Sequence, residues 1–269
     1  MTTKYQWEEL PAPVRAEIER RIGKILATSS VAGGNNSQLG LRITTDAGVD
    51  MFVKGNEISR PEARFLAREA HAAEAAGHIA SPGLVWNGVV AGWSLLVFEF
   101  IAGRPARFAV GSGDLGLLAD ALGRISKVSV VRKALPAAEE RWARYITDPA
   151  LRSSVGGSSL CHTDFNPENV LISNGRAVLV DWAWATIGAS WIDPVIAPVW
   201  LISTAHHTPR EAEAWAQRSS NWASVPRSTL AGFAEANARM WSEIAAKNVG
   251  DWSQNLHDAA ARWAAHLRN

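Results

Sequence analysis

The sequence predicts an α+β fold of two lobes: an N-terminal lobe built on an antiparallel sheet and a larger, mainly helical C-terminal lobe. Alternating apolar residues, which are typical of strands, are concentrated in the first third of the chain. The segment from Pro194 to Asn269 instead carries almost only helical patterns. The stretch Ala102-Gly103-Arg104-Pro105 separates the two regions, since glycine and proline interrupt regular structure. We therefore expect lobes over residues 1–102 and 103–269.

The first elements are a helix, a polar loop and a hairpin. The helix is indicated by apolar residues at spacings of three to four, which are Val14, Ile18, Ile22 and Ile25-Leu26. A polar loop with two glycines follows over residues 31–37. Apolar residues then alternate from Leu39 to Val53 around the turn signal Asp46-Ala47-Gly48, which predicts two paired strands. Lys54 ends the second strand and shares a face with Phe52.

A second helix and two further strands complete the predicted N-terminal lobe. Ser59 is a suitable N-cap and Glu62 its capping-box partner, so the helix is expected to begin there. It is expected to run to about Ala76 and to end at Gly77. The two strands are predicted at 82–85 and 95–101.

In the C-terminal lobe, helices are predicted at 114–128 and 137–146, followed by a Gly/Ser loop at 153–159. The helical patterns after Pro194 are interrupted near Thr208-Pro209 and Val225-Pro226.

Composition narrows the class of protein. The 269 residues contain 27 Lys plus Arg and 26 Asp plus Glu, a balance that does not favour a nucleic-acid partner. Cys161 is the single cysteine, which excludes an intrachain disulfide and a cysteine-based metal cluster. The first ten residues lack the apolar core of a signal peptide. The sequence contains no run of 18 apolar residues, so it does not predict a membrane span or a membrane partner. We expect a soluble cytoplasmic protein, monomeric or homodimeric.

The chemistry is concentrated in one motif, His162-x-Asp164-x-x-x-x-Asn169, followed by a short strand, a turn and an apolar run that ends at Asp181. Phosphoryl transfer needs a carboxylate near the attacking hydroxyl and oxygen ligands for a metal ion. Asp164 is therefore the candidate catalytic base. Asn169 and Asp181 are candidate Mg²⁺ ligands, because Mg²⁺ prefers hard oxygen donors and takes few from the protein.

The remaining parts of such a site precede the motif in the required order. Lys54 is expected to reach the α- and β-phosphates of a nucleotide, held by an ion pair with Glu69. Glu62 is the competing partner for this lysine. The glycine loop can wrap phosphates with its backbone N–H groups, and its residues are Gly33, Gly34, Asn35, Asn36 and Ser37. By itself this loop is a weak signal, since it matches neither G-x-G-x-x-G nor the P-loop pattern.

Other conspicuous residues have structural explanations. His162 is interpreted as a brace of the catalytic loop, Cys161 as a small buried residue, and His206-His207 as surface or helix-end histidines. Nine of the thirteen tryptophans lie from Trp182 onward. Core packing explains most of them, and the alternative is that one or two form a flat wall for a ring-containing substrate. No G-x-S-x-G elbow supports a serine hydrolase.

Taken together, these residues resemble the aminoglycoside phosphotransferase and choline-kinase-like enzymes, a small-molecule branch of the protein-kinase-like fold. The resemblance covers nearly the whole chain and is most specific at the Asp181-Trp182 pair. It implies that the adenine of ATP lies against the backbone from Glu99 to Ile101, with Ile172 beneath it. It also implies that Asp193 anchors the catalytic loop rather than contacting substrate.

The resemblance implies an ATP- and Mg²⁺-dependent kinase that phosphorylates a hydroxyl of a small molecule, with GTP an alternative donor. The acceptor stays open among aminoglycoside-type or other hydroxylated antibiotics, sugars, nucleosides and amino alcohols, and so does a resistance, biosynthetic or catabolic role. Two other classes remain as alternatives. A silent kinase-fold binding protein is disfavoured because the four principal site residues are present. A protein kinase is disfavoured because the segment from Trp182 to Ser190 is short and apolar.

Overall fold

The computed structural model describes residues 4–31, 37–130 and 135–269. Its contacts divide the chain into two units. The first contains Met1–Ala102 together with Asp181–Trp184, and the second contains Gly103–Val180 and Ala185–Asn269. The expected α+β class is confirmed, since the first unit is built on an antiparallel sheet and the second is mainly helical. In the part of the chain that the structure describes, no helix is both long and apolar enough to cross a membrane.

The first unit contains two helices, α1 (Ala12–Ile22) and α2 (Ala63–Ala80), and five strands. The strands are β1 (Ile25–Ser30), β2 (Leu39–Thr45), β3 (Asp50–Glu57), β4 (Leu84–Val90) and β5 (Trp93–Glu99). They form one antiparallel sheet in the order β1-β2-β3-β5-β4.

The alternation of side chains along β3 gives this sheet two different faces. On one face, Val53 belongs to a core with Val14 and Ile18 of α1. On the other, Leu96 and Phe98 of β5 pack with Leu66 of α2. Lys54 lies directly opposite Leu96 in the β3–β5 ladder and therefore shares its face, because paired residues project to the same side.

Several local expectations in this unit were wrong. Residues Ile25-Leu26 begin strand β1 rather than ending the first helix, because Gly23, at φ 100°, turns the chain out of the helix. The second helix begins at Ala63, and Glu62 lies at its N-cap without a capping hydrogen bond. Instead of forming a capping box, the Glu62 carboxylate lies 3.3 Å from Nε of Arg60.

The second unit contains eight helices and five short strands in its described part. The helices are α3 (Asp114–Ile125), α4 (Ala138–Arg141), α5 (Pro149–Ser154), α6 (Ile192–Thr204), α7 (Pro209–Ala216), α8 (Ser220–Ala223), α9 (Arg227–Lys247) and α10 (Asp251–Arg268). The strands are β6 (Arg104–Pro105), β7 (Ser159–Cys161), β8 (Val170–Ser173), β9 (Arg176–Leu179) and β10 (Thr186–Gly188). Strand β7 pairs with β10, and β8 pairs with both β6 and β9.

These strands frame the motif from His162 to Asn169. Strand β7 leads into it, and a short 3-10 turn at Pro167–Asn169 leads out of it into β8. Strands β8 and β9 are joined by Asn174 and Gly175, both with positive φ, which is the two-residue turn that suits a twisted hairpin. The motif is therefore a loop held at both ends by strands.

Most of the tryptophans are core residues, as the simpler interpretation expects. Trp142, Trp182, Trp200 and Trp263 are among the largest fully buried side chains. Among the described tryptophans of the second unit, only Trp252 is more than half exposed. The centroid of its ring lies 5.7 Å from that of Trp241. The rings of these tryptophans therefore serve mainly to pack elements of the fold together.

Candidate active site

Lys54 lies in a buried cluster with two carboxylates. Its Nζ is 2.8 Å from Oε2 of Glu69 on α2 and donates a hydrogen bond of 2.8 Å to Oδ1 of Asp181. The side chains of Lys54 and Glu69 are 7% and 3% exposed, and that of Asp181 is 23% exposed. The ion pair expected between Lys54 and Glu69 is therefore present, and Glu62 is not its partner. Asp181 extends the pair into a triad that opens toward solvent only at this aspartate.

The charges of this cluster depend on one another. Burial lowers the pKa of Lys54, but the attraction of Asp181 and Glu69 outweighs it and the net change is upward. Burial raises the pKa of Glu69, and Lys54 opposes that change. Removing the lysine would leave the buried Glu69 carboxylate and the partly buried Asp181 carboxylate without a cation, which is costly. Lys54 therefore stays an ammonium, the form that binds phosphate.

Asp181 adopts a strained backbone conformation. Its φ is 59°, in the left-handed region that residues other than glycine rarely occupy. After it, Trp182–Trp184 form a 3-10 turn packed on α2, where Arg68 donates to the carbonyl of Ala183 over 3.1 Å and Phe65 contacts the ring of Trp184. These contacts hold the turn in place and so maintain the backbone conformation of Asp181, in which its carboxylate contacts Lys54.

The loop from His162 to Asn169 is anchored by Asp193, as the resemblance implies. The two carboxylate oxygens of this buried residue of α6 accept the backbone N–H groups of His162 at 2.8 Å and Thr163 at 3.0 Å. Burial raises the pKa of Asp193 to about 7, although these two hydrogen bonds and the charge of Arg141 lower it in part. The carboxylate thus fixes the backbone immediately before Asp164.

His162 braces the same loop with both ring nitrogens. Its Nε2 lies 3.0 Å from the carbonyl of Val180, which can only accept, so Nε2 carries the proton. Nδ1 then accepts the backbone N–H of Asp164 over 3.3 Å. A fully buried neutral imidazole with these two partners has a structural role, which agrees with the interpretation from the sequence.

Arg141 is a residue of this loop that the sequence motifs did not indicate. Its Nη1 donates to the hydroxyl of Thr163 at 2.6 Å and to that of Thr186 at 2.7 Å. Thr163 has φ 64°, an unfavourable conformation for a β-branched residue. A single arginine on a short helix belongs to no recognisable sequence motif, so its contact with the loop could be identified only from the structure.

Asp164 and Asn169 lie at the two ends of the loop. The side chain of Asp164 is partly exposed, whereas its neighbours Thr163 and Phe165 are buried. The amide nitrogen of Asn169 lies 3.4 Å from the carbonyl of Asp164, so its oxygen points away from that carbonyl. The loop therefore carries a carboxylate and a carboxamide oxygen on a backbone that is fixed by hydrogen bonds to Asp193.

The donor chemistry fits a magnesium ion. Among the described residues, no group of three or more His, Cys, Asp or Glu side chains could hold a metal by itself. Asn169 of the second unit and Asp181 of the first each carry a hard oxygen donor, the kind of ligand of which Mg²⁺ commonly takes one or two from a protein.

The remaining predicted nucleotide-binding residues have different outcomes. Gly33, Gly34, Asn35 and Asn36 lie outside the described residues. Ser37 is buried, and its carbonyl accepts a hydrogen bond from Lys4. Glu99 ends β5 and Ile101 follows it, both in the first unit, while Ile172 lies on β8 in the second.

His206-His207 follow the end of α6, as one of the two interpretations held, but they are not both surface residues. His207 is buried, and its Nε2 lies 2.6 Å from the carbonyl of Phe108. It is a structural histidine.

Comparisons with known proteins concern the fold and the family of this chain. Residues 131–233 match the model of the phosphotransferase enzyme family. No curated protein matches the chain in sequence. The structure is similar to that of the choline kinase LicA from Streptococcus pneumoniae, with TM-score 0.64 and 17% identity over 94% of this chain and 98% of that one. LicA is also known in complex with AMP.

Two further solved structures are similar. One is an aminoglycoside phosphotransferase from Alicyclobacillus acidocaldarius, with TM-score 0.58 and 16% identity over 96% of each chain. The other is the macrolide 2'-phosphotransferase MphH from Brachybacterium faecium, with TM-score 0.58 and 14% identity over 92% of this chain and 96% of that one. The matches confirm the protein-kinase-like fold and the resemblance of this chain to the aminoglycoside phosphotransferase and choline-kinase-like enzymes.

Proposed function

We propose that this protein is a phosphotransferase that moves the γ-phosphate of ATP or GTP to a hydroxyl of a small molecule, with Mg²⁺. The observation that carries the proposal is the buried triad of Lys54, Glu69 and Asp181. A buried ammonium held between two carboxylates, one of them partly exposed, suits a site that takes phosphates and a cation. The similarity to solved kinases and the family match support the same reaction.

In this mechanism, Lys54 binds the α- and β-phosphates and Glu69 holds it in place. Asp164 accepts the proton of the acceptor hydroxyl as its oxygen forms a bond to the γ-phosphorus. The bond from that phosphorus to the bridging oxygen breaks, and the nucleoside diphosphate leaves. Asn169 and Asp181 would hold Mg²⁺, which neutralises charge on the phosphates when it is bound. Most of the acceleration comes from alignment, because the base only has to receive a proton.

We infer that a hydroxylated small molecule of low net charge fits as the acceptor at least as well as a polycationic one. From Thr186 to the C-terminus the chain carries seven acidic and seven basic side chains, so this region lacks the excess of carboxylates that a polycationic acceptor favours. A sugar, a nucleoside, an amino alcohol or a weakly charged antibiotic suits this balance at least as well. The similar structures include kinases of choline, aminoglycosides and macrolides, so the fold alone does not select among acceptors.

The test is a phosphotransfer screen with the purified protein, Mg²⁺, and ATP or GTP. Aminoglycosides, macrolides, amino alcohols, nucleosides and sugars are incubated singly, and mass spectrometry detects the mass of an added phosphoryl group. We expect at least one product with wild-type protein and none with Asp164→Ala. Nucleotide binding with no product across the screen and no nucleotide hydrolysis would favour a silent binding protein instead.

A further inference from the structure

The segment before the first helix is fastened to the sheet of the first unit. The backbone N–H of Tyr5 donates to the carbonyl of Gln38 over 2.8 Å, and its hydroxyl donates to Glu57 over 3.2 Å. Its ring packs edge-on against Trp93, with centroids 5.0 Å apart. The position of the preceding residue, Lys4, is therefore set by contacts with the sheet.

Lys4 reaches the end of the glycine loop. Its Nζ donates a hydrogen bond of 2.6 Å to the carbonyl of Ser37, and the side chain is partly buried. The next residue, Gln38, donates its backbone N–H to Asn56 over 2.7 Å, two positions beyond Lys54 on β3. The Lys4 ammonium thus lies where the loop predicted to bind phosphates joins the strands beside Lys54.

The charges of the triad also act on Lys4. Burial lowers the pKa of Lys4, the positive charge of Lys54 lowers it further, and the negative charge of Asp181 raises it. Nucleotide phosphates would add negative charge to that of Asp181 and so favour both ammonium groups.

We propose that Lys4 is a second phosphate-binding lysine, which contacts the β- and γ-phosphates of the nucleotide beside Lys54. The inference rests on the proposed function and deepens it by adding a residue from outside the catalytic motifs. The β- and γ-phosphates are favoured because Lys54 is assigned to the α- and β-phosphates, so a second ammonium at the Ser37 end of the loop is left with the charge farther along the triphosphate.

The experiment compares Lys4→Met with Lys4→Arg, and with Lys24→Met as a matched control at an exposed lysine of the same unit. Isothermal titration with Mg²⁺ measures affinity for the imido analogues of ATP and GTP and for AMP. For the triphosphate analogue that the wild type binds, we expect Lys4→Met to weaken affinity about tenfold, since a charge-assisted hydrogen bond is lost. AMP affinity should not change, Lys4→Arg should retain most of the affinity, and Lys24→Met should match the wild type.

Three results would overturn this role of Lys4 alone. They are unchanged triphosphate affinity in Lys4→Met, an equal loss for AMP and the triphosphate, or tighter triphosphate binding, which would mean that the ammonium competes for the site. Thermal denaturation of each variant verifies that the fold is intact. A wild-type protein that binds none of these nucleotides overturns the proposed function and the role of Lys4 with it.

Discussion

Arg141 donates a hydrogen bond of 2.6 Å to the hydroxyl of Thr163, a residue whose backbone is in the left-handed region at φ 64°. Such a conformation costs about 1–3 kcal/mol and persists only where the surroundings enforce it. Thr163 immediately precedes Asp164, so Arg141 helps to set the direction in which the proposed base points.

Thr163→Val should separate this contact from simple packing, since valine keeps the shape and loses the hydroxyl. We expect turnover to fall about tenfold or more, because the Arg141 guanidinium loses the hydroxyl that accepts its hydrogen bond. Nucleotide affinity should be unchanged, and Thr163→Ser should restore most of the activity. Nucleotide hydrolysis without acceptor is the assay, with affinity measured separately. A valine variant as active as the wild type would show that Arg141 does not position the loop.

Asp193 should make stability depend on pH. Its pKa in the folded protein is raised to about 7 from an ordinary 3.8, because it is buried. Between about pH 4 and 7 the folded protein therefore keeps a proton that the unfolded chain has released, so the contribution of Asp193 to stability decreases as pH rises. The change amounts to at most about 4 kcal/mol, at 1.36 kcal/mol per pKa unit. The positive charge of Arg141 limits this rise in the pKa of Asp193.

Asp193→Asn removes this titration. Thermal denaturation from pH 4 to 8 should show that the wild type loses stability relative to the variant up to about pH 7 and that the difference is constant above it. A difference that does not vary with pH would show that Asp193 titrates at its ordinary value.

Asp181→Asn should abolish the effect of Mg²⁺ on nucleotide binding. Asparagine tolerates the positive φ at this position, so the backbone is retained while the charge is lost. We expect triphosphate affinity in the variant to be the same with Mg²⁺ as with EDTA, whereas Mg²⁺ should strengthen binding to the wild type. Calorimetric titration in both buffers gives the answer. An equal gain from Mg²⁺ in both proteins would remove Asp181 from the metal site.

Lys54→Met should be destabilising as well as inactivating. It leaves Glu69 and Asp181 beside each other without a cation, and breaking a buried ion pair in this way costs about 3–5 kcal/mol. The double variant with Glu69→Gln should regain part of that loss, because one buried charge is removed. Denaturant unfolding of both variants measures the free energies. If the two are equally stable, the triad is not electrostatically coupled.

The sequence predicted the parts of the site that depend on fixed order along the chain. Lys54 and Glu69 were paired because a strand and a helix recur in that order before the motif, and the structure contains their ion pair. The contact of Lys54 with Asp181 was not predicted and came from the structure. Asp193 came from the resemblance, and its two backbone hydrogen bonds are present. The nucleotide, metal and base roles of these residues remain proposals.

Other features depend on long-range contacts that no local pattern encodes. Arg141 meets Thr163 from 22 positions away, and Lys4 meets Ser37 from 33. Boundary errors had local causes. Gly23 ends the first helix three residues before the predicted apolar stripe ends, because a positive-φ glycine overrides periodicity. Helix α5 was missed because only its first turn carries a signal, the N-cap of Asp148.

The rate of γ-phosphate transfer in Asp164→Asn, relative to the wild type, tests the central claim most directly. It is measured with labelled ATP or GTP and the acceptor found in the screen, with nucleotide affinity determined on the same samples. A general base contributes about 10²–10⁴-fold, so we expect turnover to fall by that factor while affinity stays the same. Transfer at the wild-type rate in this variant would contradict the assignment of Asp164 as the base, and with it the proposed mechanism.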